Sequence, residues 1–265
     1  MIYNLLLILL LFSFGISYYK RKRYFALFES FIHLYRKRKN RYAHILKGNT
    51  SNIKLPEIKT SKEIPKIIFQ THKDRNLIPE YYIKNLKRLN SDWEYKFYDN
   101  NEAKKFLREE FGKEFEEKFD YFNQGPHKAD LWRLCILYKY GGCYIDADVD
   151  MLVPLQEIIS KSNNNLIIPK TETGLIMRKR LFNALIICNR GNKYIGECIK
   201  KMMLVTNFNL WDYMYNLYLM DFVLEGNYDD LITEKYKKEK DSKISNYMYI
   251  EDLKIAKSKR EDYIR

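Results

Sequence analysis

A chain of 265 residues, 46% hydrophobic and 31% charged, can bury one good-sized core and is too short for two full domains. Its formal net charge of +13 invites a nucleic-acid reading, but residues 20–47 hold ten Lys or Arg against the single acid Glu29, which alone accounts for +9. The remainder is only mildly basic, which excludes a nucleic-acid footprint across the domain. Four cysteines, at 135, 143, 188 and 198, show neither C-x-x-C nor zinc-ligand spacing, so the sequence indicates no disulfide framework and no structural zinc.

Residues 2–19 carry no charge, and as a helix of about 27 Å they match the hydrocarbon thickness of a bilayer. Tyr18 and Tyr19, followed by KRKR, make an interfacial edge. Residues 1–19 therefore read as a transmembrane anchor, with a cleaved signal peptide as the competing reading. The basic flank puts the following domain on the cytoplasmic side by the positive-inside rule. Residues 20–63 read as a basic juxtamembrane stem and linker. Within them, 24–46 interleaves aromatic and aliphatic residues with basic clusters, as an interfacial helix or a solvated stem would, and 48–62 is a linker with Pro56.

The globular domain is expected to open at Ile64. The apolar run IPKIIFQTH at 64–72 has the profile of a buried parallel strand. A helix is predicted at 79–89 and an aromatic-rich strand at 93–98, closed by Asp99 and Asn100. Helices follow at 102–110 and 113–122, the second placing Phe115, Phe119 and Phe122 on one face. After a loop at 123–126, Leu131, Leu134, Cys135, Leu137 and Tyr138 recur at helical spacing until Gly141-Gly142 break the period and 143–145 reads as a strand. That strand runs into Asp146, Asp148 and Asp150. Alternate strand positions share a face about 6–7 Å apart, close enough for one divalent cation to engage more than one carboxylate. Asp130 and Arg133, three apart, lie on one helical face. Short strands are expected at 166–169 and 174–177, a helix at 192–205, and a Lys/Glu-rich charged tail at 234–265, as a solvated helix or disordered end. Alternating strands and helices argue for an α/β fold.

The combination K-A-D-x-x-R at 128–133 and L-Y-x-Y-G-G-x-Y-x-D-x-D at 137–148 resembles the signature of DXD-motif glycosyltransferases of the mannosyltransferase type, glycosyltransferase family 32, and the sugar-binding core of the clostridial glucosylating toxins. The run at 64–72 is similar to the family's first strand, with Phe69 where a His is usual and His72 where a Trp is common. Residues 149–155 and 182–186 are similar to its continuation, and the resemblance covers roughly 64–205. It implies a GT-A-type Rossmann-like nucleotide-sugar-binding fold within 64–233 and a Mn²⁺ or Mg²⁺ cofactor. Asp148 would bind the metal directly, and Asp146 would assist both metal and donor. Gln70, Thr71, Asp130, Arg133 and Asn183 would complete the donor site. The donor implied is a UDP- or GDP-hexose, of mannose or glucose type. The acceptor would be a hydroxyl on a glycan, sphingolipid or protein, with retention at the anomeric carbon and a domain facing the secretory lumen. His127 is the last histidine, whereas relatives often present a further His or acid from the C-terminal part. A lapsed transferase that binds nucleotide sugar or lipid at a membrane without turnover is the alternative.

Overall fold

The computed structural model describes residues 47–171, 180–181, 183–205, 223–224, 232–238, 244–250 and 252–259. The anchor expected at 1–19, most of the stem and the strand expected at 174–177 lie outside them. Among the described residues no helix is long and apolar enough to cross a membrane. The described residues from Asn49 onward belong to one compact unit.

In chain order, β1 (Ile67–Thr71) leads through a 3-10 turn to α1 (Glu80–Leu89) and β2 (Glu94–Tyr98). α2 (Asn100–Phe111) opens on a capping box: the Asp99 side chain accepts from the amides of Asn101 and Glu102, while the Asp99 amide donates to Glu102. α3 (Lys113–Tyr121) follows. α4 (Gly125–Tyr140) begins at Gly125, within the loop expected at 123–126, because Pro126 in a first helical turn displaces no hydrogen bond. Then come β3 (Gly142–Ile145), β4 (Val149–Met151), α5 (Leu155–Ser160), β5 (Leu166–Ile167), β6 (Lys170–Thr171), β7 (Arg180–Leu181) and β8 (Leu185–Cys188). α6 (Lys193–Met203), capped by Asn192, precedes β9 (Ile232–Lys238), β10 (Ile244–Ile250) and β11 (Leu253–Lys259).

Two sheets result, a five-stranded one in the order β2-β1-β3-β8-β5 and a six-stranded one in the order β4-β11-β10-β9-β6-β7. β1 pairs in parallel with β2 and β3, as its continuous apolar run predicts, and β8 pairs antiparallel with β3 and β5. The chain steps from β1 to β2 on one side and returns to β3 on the other. The gap at the carboxyl ends of β1 and β3 is therefore the point where strand order reverses, and open α/β sheets hold ligands at such a point.

Strand alternation divides the core. Ile68, Cys143, Ile145, Leu185 and Ile187 join Val149, Met151, Met248 and Ile255 of the second sheet, together with Leu86 and Leu155. The other face turns Phe69 and Tyr144 to the helical layer, where Tyr144 meets Trp132 of α4 at 6.2 Å between ring centroids. α4 is buried at His127 and from Asp130 to Leu137. Phe115, Phe119 and Phe122 are buried together, as their spacing predicts.

Two segments differ from the sequence reading. Within the tail expected from Glu234 onward as a solvated helix or disordered end, β9, β10 and β11 form an antiparallel meander that adds β4 at its edge. Tyr247 to Ile250 and Ile255-Ala256 are buried there, and lysines flank them, with the Lys254 ammonium 3.8 Å from the Tyr247 ring centroid. The lysines interspersed through 235–259 make the segment read as a solvated tail, although the residues between them are buried in runs. Residues 58–61, expected to be linker, are docked on the loop after β8. The Ser61 amide donates to the Arg190 carbonyl (3.0 Å), Thr60 Oγ1 to the Gly191 carbonyl (3.0 Å) and Asn189 Nδ2 to the Ser61 carbonyl (2.6 Å).

Gly142 has φ +96°, and a Cβ there would lie 2.4 Å from the Ile67 carbonyl oxygen. Strain and backbone collision coincide at the helix-to-strand junction. Gly142→Ala is expected to cost at least about 2–3 kcal/mol, a fall of about 5 °C or more in Tm, read by thermal unfolding.

Burial raises the thiols of Cys135, Cys143, Cys188 and Cys198 above their ordinary 9.0, so the folded chain keeps protons that the unfolded chain releases. Stability from this source is fully present below pH 9 and lost above it, by up to about 1.4 kcal/mol per pH unit for each thiol. Lys118, pushed down to about 8 by burial, acts in the opposite direction, but it is one partly exposed group against four buried ones. Tm should fall between pH 8.5 and 10, and Cys198→Ala should flatten the slope by about a quarter. A level profile would contradict this.

Candidate active site

The site is built at the carboxyl ends of β1 and β3, against α4. Period two places Tyr144 and Asp146 on the α4 side of β3, and the Asp146 amide still donates to the Ala184 carbonyl at 2.8 Å. β3 then ends. The Val149 amide donates back to the Asp146 carbonyl at 3.1 Å, closing a turn with Ala147 and Asp148 at its centre. This corrects the expectation of three carboxylates alternating along one strand. Asp146 heads the turn and Asp148 sits half-buried within it. Asp150 lies on β4 in the other sheet, where Asn85 Nδ2 donates to it at 2.8 Å. Asp150 is a packing residue, and the turn carries two carboxylates.

Arg133 organises the rest. Its guanidinium lies 3.3 Å from Asp130 Oδ1 and 3.3 Å from Asp146 Oδ1, donates to the Asn183 carbonyl at 2.6 Å, and stacks over the Tyr144 ring at 4.4 Å. Asn183 Nδ2 donates to Asp130 Oδ1 at 2.8 Å. Asp130, Arg133, Asp146 and Asn183, singled out from sequence, thus meet in one network, with Asp130 and Arg133 almost fully buried. His127 is buried one turn before, with Nδ1 3.8 Å from Asp130 Oδ2. Gln70 is buried as well: its amide donates to the Asp146 carbonyl at 3.3 Å and accepts from the Tyr95 hydroxyl at 3.0 Å, so it acts on the turn through the backbone. Burial pushes the Tyr95 phenol up to about 12, which keeps that donor protonated. Thr71 Oγ1 donates to the Tyr98 carbonyl at 2.8 Å, tying the ends of β1 and β2.

Tyr144 was not among the residues picked from sequence, where it reads only as strand. Its hydroxyl donates to Asp146 Oδ1 at 2.6 Å, and burial holds its phenol well above the ordinary 10.0, so the donor persists. The signal available was the pair Tyr144 and Asp146 at strand spacing, which predicts a shared face. With Tyr144 and Arg133 both on Oδ1, Asp146 is fixed in one rotamer. No donor among the described residues reaches its Oδ2.

Two carboxylates on one turn suit a small hard cation that retains water and takes its other ligands from a bound phosphate. Among the described residues no group of three or more His, Cys, Asp or Glu converges on a metal position. Two carboxylates alone would leave most of such an ion's coordination sphere to other ligands.

Residues 78–165 match the family model of the glycosyltransferase sugar-binding region containing DXD motif. Inositol phosphoceramide mannosyltransferase 3 of Schizosaccharomyces pombe is 38% identical over 92 residues, 34% of this chain and 25% of that protein. Inositol phosphoceramide mannosyltransferase 1 of the same yeast is 31% identical over 117 residues, 42% of this chain and 35% of that one. Mannosyl phosphorylinositol ceramide synthase SUR1 of Saccharomyces cerevisiae is 36% identical over 88 residues, 32% of this chain and 22% of that protein. The chain thus spans about a third or less of the length of these relatives. Among solved structures, PaToxG Glycosyltransferase aligns with a TM-score of 0.44 at 16% identity, over 74% of this chain and 80% of that one. Residues 78–165, which hold Arg133 and the Asp146–Asp148 turn, are accordingly similar to the glycosyltransferase sugar-binding region containing DXD motif and to the matching stretch of yeast mannosyltransferases.

Proposed function

We propose that the chain is a metal-dependent glycosyltransferase of GT-A type that moves a hexose from a UDP- or GDP-sugar to an acceptor hydroxyl. The observation that carries this is Asp146: one carboxylate oxygen is locked by Tyr144 and Arg133, the other is open, and a second carboxylate, Asp148, follows on the same tight turn at the switch point between β1 and β3.

Asp146 and Asp148 would hold Mn²⁺ or Mg²⁺, which when bound offsets the charge that builds on a departing nucleoside diphosphate. Arg133 keeps Asp146 oriented, and Asp130 and Asn183 hold Arg133 in turn. Gln70 steadies the turn from β1, and Thr71 borders the nucleotide end. Retention at the anomeric carbon is proposed on the family resemblance, with the leaving phosphate accepting the proton of the acceptor hydroxyl. The relatives' names point to sphingolipid headgroups as an acceptor class, beside glycans and proteins. The uncharged run at 2–19 would serve as a membrane anchor.

The test is a screen of UDP- and GDP-hexoses for release of nucleoside diphosphate with and without Mn²⁺. Metal-dependent hydrolysis of one donor is expected. Metal-dependent binding with no hydrolysis, and no transfer across glycan and lipid acceptors, would instead assign a binding protein.

A further inference from the structure

At the opposite end of β8 the chain forms a second recess, of about 260 Å³, lined by Asn164, Asn165, Asn189, Asn192, Lys193 and Tyr194. Thr60, from the docked segment 58–61, supplies another wall. Ala184, which pairs with Asp146, and Asn189 are separated by the length of β8, about 17 Å of extended chain. The recess is therefore distinct from the transfer site.

Its floor is held in place by a run of carboxamides. Asn192 Nδ2 donates to Asn189 Oδ1 at 2.8 Å, and Asn189 donates to the Ser61 carbonyl at 2.6 Å. Both asparagines are buried. Asn192 Oδ1 accepts from the amides of Tyr194 and Ile195, so the start of α6 is already capped and offers little to an anion. Among the described residues no carboxylate lines the recess, and the Lys193 ammonium rests 4.8 Å from the Tyr194 ring centroid. The exposed Asn165 side chain makes no hydrogen bond among the described residues. Carboxamides that both donate and accept match vicinal hydroxyls, and a half-exposed aromatic ring matches the C–H face of a pyranose. The volume falls just below the roughly 300–1,000 Å³ of drug-sized ligand sites, which suits one sugar ring and excludes a whole nucleotide sugar.

We propose that this recess is a carbohydrate subsite that binds one neutral pyranose of a glycan, remote from the Asp146–Asp148 turn. It stands independently of the transferase reading, because it uses none of the same residues. The test is saturation-transfer NMR on the full chain with methyl α-mannopyranoside and methyl α-glucopyranoside, without metal or nucleotide. Transfer to ring protons is expected in the wild type and equally in Asp148→Asn. Asn165→Ala should weaken binding about fivefold, the loss of one hydrogen bond, and Asn165→Trp, which fills the recess from an exposed position, should abolish it. Absence of transfer in the wild type, equal transfer in Asn165→Trp, or loss in Asp148→Asn would overturn the proposal. Binding of inorganic phosphate with neither sugar would also overturn it, assigning an anion site instead.

Discussion

Replacing Arg133 by alanine is expected to remove activity and to destabilise the fold at once. The guanidinium is almost fully buried and satisfies two carboxylates, a backbone carbonyl and an aromatic face. Its removal leaves Asp130 in the interior with its guanidinium partner gone. Breaking a buried ion pair from one side costs about 3–5 kcal/mol, a fall of about 10 °C or more in a domain of this size. Asp146 would also lose the contact that fixes its rotamer, so donor turnover should fall on the order of 10²–10³-fold. Arg133→Lys should rescue only part of this, since a single ammonium cannot reproduce the four contacts. Thermal unfolding and donor turnover on the same preparations check both. A fully stable and active Arg133→Ala would show the network to be incidental.

Asp146→Asn should separate function from fold. The amide oxygen can still accept from Tyr144 and Arg133, so the constellation around Oδ1 persists and stability should change by no more than about 1 kcal/mol. What disappears is the negative charge on the outward oxygen. Turnover should fall on the order of 10²-fold or more while Tm holds. A large drop in Tm with turnover per folded molecule unchanged would make Asp146 a structural residue.

These two variants draw on different parts of what the sequence makes legible. The parallel strand at 64–72 and the helices at 79–89 and 113–122 follow from local periodicity, because each buries one continuous face. The pairing of Asp130 with Arg133 follows from helical spacing. Their meeting with Asn183 does not, since the partners are 53 residues apart in sequence and only the ladder between β3 and β8 brings them together. The alternation of Asp146, Asp148 and Asp150 misleads for a physical reason: period two holds only while the strand lasts, and a turn headed by Asp146 sends Asp150 into another sheet. The C-terminal meander escapes notice because lysines are interspersed among its apolar residues and give the segment the composition of a solvated tail. Docking of 58–61 depends on the close approach permitted by Gly191, whose added Cβ would lie 3.0 Å from the Ile58 carbonyl oxygen, and no local pattern reports it.

The proposed transfer depends on the carboxylates of one turn holding a cation that steadies a leaving nucleoside diphosphate. Its most direct test is release of UDP or GDP from the matching hexose donor, with Mn²⁺ and with chelator, in the wild type and in Asp148→Asn. Release is expected to require the metal and to fall to background in the variant while Tm is preserved. Release at the wild-type rate in Asp148→Asn, or undiminished by chelation, would contradict it.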